Sequence, residues 1–145
     1  MLYLIVSAIA WLLVYFFVGR RFFQLWAAGL IGVIITLVVD YFGTGHNLYI
    51  YPKGLFYIGS LPLFHFVQIY AFAILYFNWL PREWSAKLFY TAYVSALFLS
   101  VEVLMHNLGA VVYPNWQLWY SYPLLIAGLS LMAYLAERLR LLKNT

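Results

Sequence analysis

Within residues 29–43 an apolar run carries Gly29, Gly32, Thr36, Asp40 and Gly43 at intervals of three or four. That spacing lines all five along one face of a helix. Small residues on one face let a second helix come close in lipid, where packing rather than exclusion from water joins helices. A carboxyl group on the same stripe is expensive in hydrocarbon unless it meets a partner or water. The stripe predicts a central helix whose small face, Asp40 included, turns toward protein.

Composition places this helix in a bilayer. With 67% hydrophobic and 8% charged residues and a mean hydropathy of +0.91, the chain has too little polar side chain to coat a soluble globule of 145 residues. Fourteen Tyr, twelve Phe and six Trp suit a protein anchored at the lipid–water boundary, where an apolar ring carries a polar tip. The absence of Cys excludes disulfides, thiolate metal ligands and a cysteine nucleophile. The net charge of +4 would suggest nucleic acid in a soluble protein. Here the cations flank apolar runs, so membrane topology accounts for them and no nucleic-acid partner is expected.

Five spans are predicted, at about 2–18, 22–42, 61–80, 86–106 and 121–137, in a single domain covering residues 1–145. Ala8 and Ala10 imitate a signal-peptidase site, but no positive region precedes the run and it continues to Val18, so it reads as a retained first span. Gly19, Arg20 and Arg21 form a turn so short that the first two spans are expected as antiparallel neighbours. The sequence Gly43-Thr-Gly-His-Asn is expected to break the second helix. Residues 55–59 are apolar but too short to cross, and are expected to lie along the interface or fold back on the bundle. Ser60, Ser85 and Ser121 are expected as N-caps, with Pro62 and Pro123 in first turns.

Arg20, Arg21, Arg82, Lys87, Arg138, Arg140 and Lys143 then lie on one side and Lys53 on the other. By the positive-inside rule the C-terminus is cytoplasmic and the N-terminus outside. The same topology gathers polar groups at the outer end: Asp40 and His46 from the second helix, His65 and Gln68 from the third, Glu102 and His106 from the fourth. Tyr113, Trp116, Trp119 and Tyr120 belong to the loop above them, and Ser121 opens the fifth span at the same end.

Imidazole and carboxylate could hold zinc, iron or manganese. However, Glu102-x-x-x-His106 matches no metal motif, and neither Glu-x-x-His pairs nor His-Glu-x-x-His occurs, so no cofactor is expected. Desolvation could instead tune Asp40 or Glu102 for acid–base work. The plainer alternative is that both carboxyls bond across helices and fix the packing. No Gly-x-Ser-x-Gly elbow surrounds any serine, and no phosphate-cradling loop is present.

From Asp40 onward the chain shows Leu48-Tyr-Ile-Tyr-Pro, a span ending in Leu80-Pro81, Glu102, Gly109, Tyr113, and Trp116-Gln-Leu-Trp-Tyr-Ser-Tyr-Pro123. This order resembles an uncharacterised family of small multispanning membrane proteins of spore-forming Firmicutes. The resemblance implies a bacterial plasma membrane setting and draws out Asp40, Glu102, Tyr113, Trp116, Trp119 and Ser121. It supplies no activity. The sequence thus reads as an all-α integral membrane protein, and its leading function is a non-enzymatic component that binds a small ligand, a lipid, a partner protein or a second copy of itself through an outward polar and aromatic pocket. The alternatives are a membrane-embedded enzyme and, third, a small transporter or channel subunit.

Overall fold

A computed structural model of the chain describes residues 2–52, 54 and 56–141. It is 76% helical. Helix α1 (Leu2–Leu13) continues into a π-helical turn (Val14–Val18) and a 3-10 turn (Gly19–Arg21), and α2 (Phe22–Gly45) follows. A small hairpin of β1 (Tyr57–Ile58) and β2 (Leu61–Pro62) precedes α3 (Leu63–Asn78). The chain ends with α4 (Trp84–Asn107) and, after a 3-10 turn (Leu118–Tyr120), α5 (Ser121–Arg138).

Among the described residues, three helical stretches are long and apolar enough to cross a membrane: Leu2–Gly45, Trp84–Asn107 and Leu118–Arg138. The first consists of two limbs, since Gly19 takes a φ of 54° that ends the helical path of α1. Tyr3 at its start and Asp40 near its end both meet His65, so the limbs run antiparallel. They are not the direct neighbours expected from the short turn, because each packs mainly against α3. Trp11 ties α1 to α3 by donating its indole N–H to the Val67 carbonyl at 3.0 Å.

Helix α3 is shorter than the predicted 61–80, with 16 residues. Leu61 and Pro62 are drawn into the hairpin, and the Leu63 N–H goes to the Phe56 carbonyl. Ser60 does not cap α3; its hydroxyl bonds Thr44 at 2.8 Å. Neither Ser85 nor Ser121 supplies a side-chain cap, since α4 begins a residue before Ser85 and Ser121 is itself the first residue of α5. Helix α2 passes through Gly43 and ends at Gly45, inside the stretch expected to break it and three residues beyond the predicted span end at 42. Just past its end, Asn47 with a φ of 56° turns the chain back while the Asn47 and Leu48 N–H groups close on Thr44 and Gly43. Of the segment 55–59, residue 55 lies outside the described residues, and Tyr57 and Ile58 form β1.

The stripe on α2 is a packing seam. A Cβ on Gly29 would stand 2.7 Å from the Tyr70 ring of α3, and one on Gly32 would stand 2.7 Å from Met132 Sδ of α5 and 2.8 Å from Ala73 Cβ. Only glycine permits both approaches. Tyr76, buried at the centre, bonds the Thr91 hydroxyl of α4 at 2.8 Å and donates to the Leu129 carbonyl of α5 at 3.3 Å.

The two ends of the bundle differ. At one end Arg21 donates to the Asn78 carbonyl and side-chain oxygen at 2.7 and 2.8 Å, satisfying acceptors at the end of α3. At the same end Lys87 of α4 pairs with Glu137 of α5 at 2.6 Å. The ends of α2 and α4 and the starts of α1, α3 and α5 share the other end, beneath two loops.

Candidate functional site

At that other end Asp40 is 6% exposed and bonded on both oxygens. Oδ1 accepts the Tyr49 hydroxyl at 2.8 Å, and Oδ2 pairs with His65 Nε2 at 2.8 Å. Tyr49 gets there because the turn at Asn47 folds the chain back over α2. Its ring lies where a Cβ on Gly43 would be, 2.4 Å from Cζ. The stripe residue after Asp40 is therefore a seat for Tyr49 rather than for another helix.

Glu102 anchors a second cluster. Its Oε2 accepts hydroxyls from Tyr113 and Ser121, and Ser121 Oγ in turn accepts the Trp116 indole N–H at 3.0 Å. The loop carrying Tyr113 and Trp116 is aimed by the end of α4. Gly109, at a φ of 80°, closes the helix with Gly109 N–H on His106 and Ala110 N–H on Met105. An edge contact between the Tyr49 and Trp116 rings, 5.6 Å apart, joins the two clusters.

The loops are also stitched to each other through backbone. Ile50 and Val112 exchange both N–H···O bonds at 2.9 Å, and Asn115 N–H reaches the Leu48 carbonyl at 3.2 Å. Tyr3 adds a bond from its hydroxyl to the Ala110 carbonyl. Burial is the main cause raising the Tyr49 and Tyr113 hydroxyl pKa values well above normal. The Asp40 carboxyl adds to it for Tyr49, and the hydrogen bond to Glu102 adds to it for Tyr113.

Beneath the stitched loops is a cavity of about 210 Å³ bounded by α2, α3, α4 and α5. Asp40, His65, Gln68, Glu102, Tyr113 and Ser121 line its loop end. Phe72, Phe98, Leu125, Leu129 and Met132 line the part that runs toward mid-bundle. Gly128 also faces it, and a Cβ there would meet nothing within 4 Å. The cavity is far larger than the roughly 10–15 Å³ that one water needs, and smaller than the roughly 300–1,000 Å³ of drug-sized sites. No Lys or Arg is among its lining residues.

Of the ten residues singled out in the sequence, seven line this cavity: Asp40, His65, Gln68, Glu102, Tyr113, Trp116 and Ser121. Three do not. His46 is exposed and lies against Phe42, as the residue that follows the last turn of α2. His106 donates its Nδ1–H to the Val111 carbonyl, 3.0 Å away, and stacks beneath Tyr113, so the loop takes it as a support. Trp119 is 68% exposed and sets its ring edge-on against Tyr120. Sequence reasoning missed Tyr49, Tyr51 and Tyr3, which wall the loop end. Leu48-Tyr-Ile-Tyr-Pro held part of that signal, since tyrosines two apart in an extended segment present both rings to the same side.

Among the described residues no three His, Cys, Asp or Glu side chains come close enough to share an ion. Asp40 pairs with His65, but Glu102 is held by hydroxyls and shares no histidine with Asp40.

Fold and site together define a predominantly helical chain with membrane-length apolar helices and a partly open, polar-ended cavity. Comparison with protein-family models, with curated proteins and with solved structures finds no match.

Proposed function

We propose that this chain is a non-enzymatic, multi-pass component of a bacterial plasma membrane that binds a small ligand in the cavity under its outer loops. The observation that carries this reading is the cavity itself: an apolar channel between four helices that ends at two carboxyl groups and is roofed by loops stitched together. Concave apolar sites with a few convergent polar groups are the usual form of small-molecule sites. An acid–base enzyme has less support, because the Glu102 Oε2 is occupied by Tyr113 and Ser121 and His106 faces away.

Five spans, with the N-terminus outside and the C-terminus cytoplasmic, are part of this reading. Arg21 and Lys87 mark the end opposite the cavity's polar groups, and Arg20, Arg82, Arg138 and Arg140 adjoin them in sequence or at the end of α5. That segregation supports a cytoplasmic basic end. The bacterial setting rests on the sequence resemblance.

The test is mass spectrometry of the protein purified in mild detergent, with Gly128→Phe as the comparison. The wild type is expected to retain a small molecule or lipid that the filled variant loses. Identical extracts from the two would overturn the reading. A reporter at the C-terminus should score cytoplasmic and one inserted after Gly59 external; an external C-terminus would overturn the topology.

A further inference from the structure

The cavity's hydrogen-bonding inventory is one-sided. Gln68 is 4% exposed and lines the cavity, yet its Oε1 has no partner and its Nε2 has only a 3.9 Å contact with Met105 Sδ. One turn away, His65 spends Nε2 on Asp40 and leaves a buried Nδ1 unpaired. In the neutral imidazole, with Nε2–H given to the carboxyl, that Nδ1 is an acceptor. Two carboxyl groups stand at the same end, and no lining Lys or Arg offsets them. Buried polar atoms are almost always hydrogen-bonded in folded proteins, so these two acceptors call for donors that the protein itself does not supply.

We infer that the cavity takes an amphipathic molecule with a primary-ammonium head and a short apolar chain. This rests on the binding role proposed above and specifies its ligand. The head supplies N–H donors, which Gln68 Oε1 and His65 Nδ1 lack, and a positive charge, which the Asp40 and Glu102 carboxyls favour. An anionic head would meet two carboxyls and unpaired acceptors. The apolar chain would lie along Phe72, Phe98 and Leu129 toward mid-bundle, over the bare Gly128.

The experiment compares n-octylamine, 1-octanol and octanoate, which share a chain and differ in the head. Each is titrated into the full chain in mild detergent, with binding read by native mass spectrometry and by Trp fluorescence. Octylamine is expected to bind about tenfold tighter than octanol, the ratio equivalent to one good charge-assisted hydrogen bond, with octanoate weakest. Gly128→Phe should abolish binding of all three. Gln68→Leu and Glu102→Gln should each reduce the preference for the amine, and Glu102→Gln keeps an oxygen for Tyr113 and Ser121, so it preserves the local bonds. Octanol or octanoate binding as well as the amine would overturn the ammonium inference and leave ligand binding standing. Failure of all three to bind the wild type would overturn both, as would amine binding that persists in Gly128→Phe.

Discussion

Tyr49 reaches Asp40 across the bare Cα of Gly43: its hydroxyl lies 2.8 Å from Oδ1, and a Cβ on Gly43 would stand 2.4 Å from its ring. A loop residue is thereby bonded to a carboxyl one turn inside the helix that the loop has just left. The contact fixes where the loop sits, and so fixes one wall of the cavity.

Gly43→Ala should force the Tyr49 ring off its seat and cost about 1–3 kcal/mol, the range for overpacking and for a lost buried bond. The clash needs both residues. In a Tyr49→Ala background the same Gly43→Ala change should therefore cost much less, as measured by denaturant unfolding of the four variants. Strictly additive costs would mean that the two do not touch.

Asp40→Asn and Asp40→Leu should separate sharply. Asparagine keeps an acceptor for Tyr49 and offers its amide to His65 Nε2 once the imidazole proton moves to the unpaired Nδ1. Leucine leaves the Tyr49 hydroxyl and His65 without a partner and should cost about 1–3 kcal/mol in the unfolding free energy. Equal tolerance of both variants would put Asp40 in water or among headgroups.

Gly128→Ala should stabilise. The glycine sits inside α5 facing open space, so a methyl group meets no neighbour and removes backbone freedom from the unfolded chain. The gain expected is about 0.5–1 kcal/mol, visible as a higher Tm. A lower Tm would mean that α5 is packed there and the cavity is closed.

Alkaline stability should report on Tyr113. Its hydroxyl ionises well above the ordinary 10.0, because burial and the Glu102 hydrogen bond disfavour the phenolate. A group held protonated in the fold contributes stability that is full below pH 10.0 and is lost as pH rises beyond it, while the unfolded tyrosine ionises and the folded one does not. Unfolding followed from pH 9 to about pH 11 should show a decline that is shallower in Tyr113→Phe. Parallel curves would mean that Tyr113 is open to water.

The helices were legible because a long apolar run in lipid has one solution, a helix that closes its own hydrogen bonds. The stripe from Gly29 to Asp40 also announced a close helix contact, since small residues at intervals of three or four permit little else. The site was legible in outline. Counting turns from each end puts Asp40, His65, Glu102 and Ser121 at one end of the bundle.

What periodicity does not fix is the rotation of one helix against the next, or the path of a loop. Glu102 and His106 share a face by spacing, yet only Glu102 lines the cavity, because the loop after α4 claims His106 through Val111 and Tyr113. Asp40 and Glu102 share an end, yet tertiary packing gives Asp40 a histidine and a tyrosine and gives Glu102 a tyrosine and a serine. Sequence alone determined a bundle of apolar helices with its charged and polar groups sorted to opposite ends, because hydrocarbon penalises any other distribution. The partners of those groups, and the space left between them, were decided only by side-chain packing among residues far apart in the chain, where a Gly at position 43 and another at 128 count for more than any motif.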